Sequence, residues 1–158
     1  MGEYRIRLAT AADAAVIAHH RVRMFEDMGK LSWADAPLLR AATERRVAED
    51  LPSGVYFGWL AESEGKVVAG AGVLLHQYYP FVDNPRGRPT AYILNVYTEP
   101  PHRRIGAASQ LMLEILGWCR AHDIPRASLH ASAFGKSVYD ALGFRATNEM
   151  RVDVRSET

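Results

Sequence analysis

The stretch that most constrains this chain runs from Ile93 to Ser109, reading Ile-Leu-Asn-Val-Tyr-Thr-Glu-Pro-Pro-His-Arg-Arg-Ile-Gly-Ala-Ala-Ser. A strand-like run, Ala91 to Thr98, meets two prolines, and a short cationic segment with one glycine then opens a long amphipathic helix. A strand that is apolar on both faces, with Asn95 as its polar exception, has to be covered by helices on both sides. The helix start leaves backbone N–H groups unpartnered, and the helix dipole adds about half a positive charge there, which suits a phosphate. Gly106 and the small Ala107, Ala108 and Ser109 let a ligand approach the backbone, with Arg103 and Arg104 beside it as charge. An ordinary tightly packed turn is the other reading of these residues. Better known cradles are absent. No Gly-x-x-x-x-Gly-Lys-Ser/Thr occurs, and Gly70-Ala71-Gly72 lies in a strand-like run with Leu75 where a dinucleotide fingerprint needs its third glycine.

The other elements order themselves around that stretch. Tyr4 to Leu8 alternates as a strand, and Thr10 to Asp13 forms a capping-box pattern with a short acid. A first helix places Ala14, Ile17, Arg21, Met24, Phe25 and Met28 at helical steps and stops at Gly29. Its adjacent His19 and His20 point in different directions, which suits solvated surface better than a metal site. A second helix is predicted from about Ala36 to Leu51, bracketed by Pro37 and by Pro52-Ser53-Gly54. Val55 to Glu62 and Lys66 to Gln77 then read as a hairpin across Ser63-Glu64-Gly65, and Tyr78 to Pro89 as a surface loop. After the central strand, a third helix carries Ile105, Ala108, Leu111, Met112, Ile115, Leu116 and Cys119 on one stripe. Arg126 to Ala131 is a short strand. Ser132 caps a fourth helix that turns Phe134, Val138, Ala141 and Leu142 inward and closes at Gly143, and Phe144 to Val154 supplies the last strand. The meander from Val55 to Thr98 argues against a regular strand-helix alternation.

Composition narrows the classes. The 158 residues suit one domain spanning 1–158, and a formal net charge of +1 gives no general pull toward nucleic acid or acidic membranes. One cysteine excludes an internal disulfide framework, and Cys119 sits on a helical stripe as a packed thiol. No run approaches the ~18 apolar residues of a membrane span and the N-terminus has no apolar signal core, so the cytoplasm is the expected compartment. The six histidines show no metal-ligand spacing, and a Gly-x-Ser-x-Gly elbow is missing. No metal is expected.

Arg103-x-x-Gly106-x-Ala108 resembles the Arg/Gln-x-x-Gly-x-Gly/Ala signature of the GCN5-related N-acetyltransferases, the GNAT superfamily, which hold the pyrophosphate of acetyl-coenzyme A (acetyl-CoA) on this loop. The run from Leu129 to Phe144, ending Val-Tyr-Asp-Ala-Leu-Gly-Phe, resembles the second motif of that family. The resemblance implies an α+β fold with a mixed, mostly antiparallel sheet flanked by helices on both faces, and acetyl-CoA as co-substrate. It makes Tyr139 the general acid at the coenzyme sulfur. Val96, Tyr97 and Thr98 take the pantetheine and thioester through their backbone, and Arg103, Arg104, Ile105, Gly106, Ala107, Ala108 and Ser109 take the pyrophosphate. Ser132, where the family often has asparagine, and Lys136 complete the coenzyme contacts. Phe25, Met28, Tyr78 and Asn95 are acceptor candidates, because the first helix, the loop after it and Tyr78 to Pro89 wall the acceptor pocket in the family. Tyr92 stands where some relatives carry a strand glutamate, so Glu99, His102, His130 or an ordered water is left as the base. The implied activity is acetyl transfer to a primary amine of a small molecule or peptide in a ternary complex, by a monomer or homodimer. A different acyl donor, an oxygen acceptor, or a coenzyme-binding module without turnover are the alternatives.

Overall fold

The computed structural model describes residues 3–155. Strand β1 (Arg5–Leu8) leads through a single 3-10 turn, Ala11–Asp13, into helix α1 (Ala14–Asp27). The Asp13 carboxylate accepts from the Thr10 N–H at 2.8 Å, and Arg7 holds the same carboxylate with both Nη atoms at 2.8 and 2.9 Å. That fork fixes β1 against the start of α1 and keeps the Asp13 carboxyl below its ordinary range. Helix α2 (Ala36–Ser53) begins with Pro37 in its first turn, where the missing N–H costs nothing, and ends at Gly54 with φ +72°. It runs two residues past the predicted end.

Strands β2 (Tyr56–Ser63) and β3 (Lys66–His76) form the expected hairpin. Glu64 and Gly65 both have positive φ, the geometry whose twist matches that of the flanking strands. Strand β4 (Thr90–Thr98) pairs antiparallel with β3 and parallel with the short β5 (Ala127–Leu129). The sheet order is β1-β2-β3-β4-β5. Helix α3 (Ala107–Ala121) buries Leu111, Met112, Ile115 and Cys119 against one face of the sheet, joined there by Tyr139 of helix α4 (Lys136–Ala141). Ala14, Ile17 and Val47 of α1 and α2 pack with Tyr56 and Leu60 on the other face. A mixed sheet covered on both faces is thus the observed architecture.

Four expectations are corrected. Phe144 to Val154 is not a strand, although Met150, Val152 and Val154 do alternate with charged residues. No strand pairs with the segment, whose Phe144 N–H donates to the Tyr139 carbonyl at 3.0 Å to close the preceding helix; Met150 is 93% exposed, and side-chain contacts from His130 to Arg151 and Glu149 tie it down. Alternation marks a segment able to pair, and it does not supply the partner. Helix α4 starts at Lys136 with Gly135 as its cap, because Ser132 to Gly135 closes a separate turn in which the Gly135 N–H donates to the Ser132 carbonyl at 3.2 Å. Phe134, assigned inward, is consequently 77% exposed. Ile105 lies before the first turn of α3 and is 41% exposed rather than on its stripe. His20, assigned to solvent with His19, is 1% exposed. Its ring lies 5.2 Å from that of Tyr97 and fills the space over Gly70, where an added Cβ would come within 2.9 Å of Nδ1.

Candidate active site

The site begins with a defect in β4. Gly70 pairs with Tyr97 and Gly72 with Leu94, so two steps along β3 are matched by three along β4. Asn95 takes up the extra residue at φ +58°, a conformation asparagine tolerates better than most residues. Cβ atoms at Gly70 and Gly72 would strike His20 and Tyr56, which are packed on the α1 side. Their partners Tyr97 and Leu94 therefore face α1 together, although a regular strand would turn residues three apart to opposite faces. The same bulge parts β4 from β5. Their pairing ends at Ile93 opposite Leu129, which leaves the β5-side edge of Val96 to Thr98 without a strand neighbour.

Beyond Thr98 a 3-10 turn, Pro100–His102, carries the chain to Gly106. Gly106 has φ +98° and caps α3, whose first turn contains no acidic residue and receives no side-chain cap. An uncapped helix start of this kind presents donors and positive potential to an anion. Arg103, beside that space, is committed to protein partners. Its Nε donates to the Thr98 carbonyl at 2.8 Å, its Nη2 to Asp27 Oδ2 at 2.6 Å, and its guanidinium lies 5.4 Å over the Tyr97 ring. Arg103 thus staples the loop to β4 and to α1, while Arg104, at φ +64°, has no ion pair among the described residues.

One cavity of about 690 Å³ joins these parts. Val96, Tyr97, Thr98, Arg103, Arg104, Gly106, Ala107, Ala108, Ser109, Ser132, Tyr139 and Met28 all line it. Tyr139 is buried and its ring needs Gly135, because a Cβ there would lie 2.7 Å from Tyr139 Cε2. Among the described residues the only sealed side-chain nitrogen or oxygen without a partner is His20 Nε2, so the unpaired Tyr139 hydroxyl has access to the cavity. Burial pushes its pKa above the ordinary phenol value, which keeps it protonated at neutral pH.

Other candidates lie elsewhere. Ile105 and Lys136 do not line the cavity, and Lys136 Nζ is instead 2.6 Å from Asp140 Oδ2 on exposed surface. Tyr78 is exposed beside His76, and Phe25 lies under the Arg21 guanidinium. Asn95 lines a second cavity. Of the base candidates, His102 lines the first cavity, with its Nδ1 3.4 Å from Tyr4 Oη. Glu99 is engaged by His19 Nε2 at 3.1 Å and by the Tyr97 hydroxyl at 3.4 Å, and His130 Nδ1 is 2.5 Å from Tyr92 Oη. Sequence reasoning reached Asp27 only as part of the Arg23 to Gly29 segment of the pocket wall, and did not place Phe134 and Ser137 on the cavity. Asp27 carried a signal, since it lies three residues from Met24 on the same face of α1. Phe134 and Ser137 carried none apart from their place in the second motif.

Comparisons with known proteins bear on the family and the fold. The acetyltransferase (GNAT) family profile matches residues 23–144. A GCN5-related N-acetyltransferase from Ralstonia eutropha JMP134 superposes with a TM-score of 0.89 at 27% identity, over 98% of this chain and 100% of that one. A predicted acetyltransferase from Clostridium acetobutylicum, solved with acetyl-CoA, gives 0.87 at 25% identity, over 97% of each chain. A possible acetyltransferase from Clostridium difficile 630 shares the fold, with a TM-score of 0.78 at 17% identity over 99% of this chain and 100% of that one. No curated protein matches the sequence. With its family profile running from the second half of α1 to the end of the second motif, this chain belongs to the GNAT acetyltransferase family.

Proposed function

We propose that the protein transfers acetyl from acetyl-CoA to a primary amine by direct attack in a ternary complex. The observation that carries this reading is a single cavity lined both by an uncapped helix start and by a tyrosine whose hydroxyl stays protonated. When bound, the coenzyme supplies an activated acetyl thioester. The free amides of Gly106 to Ser109 hold its diphosphate, and the open edge of Val96 to Thr98 pairs with the pantetheine arm as an added strand would. A backbone N–H on that edge donates to the thioester oxygen. Tyr139 gives its proton to the departing sulfur.

The test is thiol release from acetyl-CoA across a panel of amines, with Tyr139→Phe alongside. Turnover that depends on the amine, cut by about 100-fold or more in the variant while the KM for acetyl-CoA holds, is the expected result. An unchanged rate would remove Tyr139 from the acid role. No thiol release with any amine would leave the protein a coenzyme-binding module.

A further inference from the structure

The second cavity, of about 530 Å³, lies under α1 and α2. It adjoins the first through single residues. On β4, Asn95 lines the second cavity and Val96 the first, and on α1, Arg21 lines the second and Met24 the first. Neighbouring Cα atoms are about 3.8 Å apart and helix positions three apart are about 5–6 Å apart, so the two spaces meet at the β4 bulge.

Arg21 is the unusual group there. It occupies a position on the inward stripe of α1 and is only partly exposed. Its Nη1 donates to Asn95 Oδ1 at 2.7 Å, and Asn95 Nδ2 donates in turn to the buried Tyr56 hydroxyl at 3.1 Å. The Phe25 ring packs 5.0 Å from the guanidinium carbon. These contacts hold the side chain, yet none is with a carboxylate, and no ion pair forms to Arg21 among the described residues. The Nε and Nη2 donors have no protein partner and are not sealed, and Arg21 lines the cavity. A guanidinium without a counter-charge in a half-buried site is costly unless a ligand supplies that charge. Burial lowers its pKa, as expected for a cation with no acid beside it. The carboxylates on this cavity do not fill the gap. Asp50 Oδ2 is held by Arg46 Nε at 2.7 Å and Glu49 lies on exposed surface.

We infer that the second cavity is the acceptor subsite and that Arg21 reads a carboxylate on the acceptor, so that the amine substrate is an amino acid with an apolar side chain. The inference rests on the acetyl-transfer reading. The Nε–Nη2 edge is the planar fork that matches a carboxylate's two oxygens. Leu39, Leu74 and Leu94 supply an apolar wall for the side chain. The amine then points over the bulge toward Val96, where the strands part.

The experiment compares leucine and phenylalanine with their amides and with the matching amines lacking the carboxyl group, in wild type and in Arg21→Gln. The ratio of variant to wild type for each acceptor cancels differences in amine basicity. Loss of roughly 10–100-fold in kcat/KM for the acids, with amides and simple amines changed less than about 3-fold, is expected. Equal losses for acids and amides would overturn the carboxylate role, as would a wild type that accepts only amides and amines. Arg21→Lys, which keeps charge but not the fork, should lose part of the preference and covers the case in which Arg21→Gln does not fold. A calorimetric arm titrates N-acetylleucine and N-acetylleucinamide into the CoA-bound protein. Preference for the acid that disappears in the Arg21 variant supports the subsite even if no amine is acetylated, in which case acetyl transfer alone falls. Equal binding of the two, or a preference that survives the substitution, overturns the subsite even where acetylation is robust.

Discussion

Tyr139 and His20 are both buried rings, and their environments assign them different work. The Tyr139 hydroxyl reaches a cavity and its pKa is raised by burial, so in the proposed reaction it stays a proton donor across the range in which an acceptor amine deprotonates. The rate is therefore expected to rise with pH as the neutral amine accumulates, with no descending limb below about pH 10. A pH–rate profile that falls through neutrality would show that another group supplies the proton. His20 has no such outlet. Its Nε2 lacks a partner, and burial lowers its pKa from 6.5 to about 4. Between these values the unfolded chain binds the proton and the folded one does not, so stability is full above about pH 6.5 and drains away as pH falls toward 4. The loss is on the order of 3 kcal/mol. Urea unfolding across that window should show the slope in wild type and a flatter one in His20→Leu. Tyr139 was legible in the sequence because the flanking Leu-Gly-Phe run located it. His20 was not, because its burial depends on Gly70 and Tyr97, which lie far away along the chain.

Among the elements, β4 and α4 determine whether the site exists. The periodic stretches of α1, α3 and the β2–β3 hairpin could be read directly, since helical and strand spacing are local properties. The bulge at Asn95 could not, because it is a register shift against β3 and is seen only once the strands pair. Its sole trace was a polar residue in an apolar run. The glycines facing α1 are the complement of that packing. Ala at Gly72 would put a Cβ 2.0 Å from the hydroxyl of buried Tyr56, so Gly72→Ala should lower stability by about 1–3 kcal/mol or more in denaturant titrations. At the cap of α4, Gly135→Ala should displace the Tyr139 ring and lower kcat, since an added Cβ would lie 2.7 Å from Tyr139 Cε2. Unaltered kcat in that variant would show that the ring position is not critical. The missing last strand is the converse case, where the alternation was real but the segment does not pair with β5, the edge strand of the sheet.

At the scale of the whole molecule, the sheet parts between β4 and β5 while α3 directs its first turn into the gap, and acetyl-CoA would bridge the two. Ligand that binds only the folded state adds stability by mass action, about 2.7 kcal/mol at a hundredfold excess over Kd. For a chain of this size the melting temperature should then rise by roughly 5–10 °C. The element order from Tyr4 to Gly143 was readable because each element carries its own spacing and stop signals, and the second cavity was not, because α1, α2 and three strands contribute to it. Ala108→Glu separates coenzyme binding from folding. Ala108 has ordinary helical geometry and a glutamate in the first turn favours the helix, so the fold should be kept while bulk and negative charge enter the diphosphate position. Calorimetric titration with acetyl-CoA should show binding to wild type and none to a variant whose melting temperature is unchanged. Equal affinity in the two proteins would contradict the placement of the coenzyme at the start of α3.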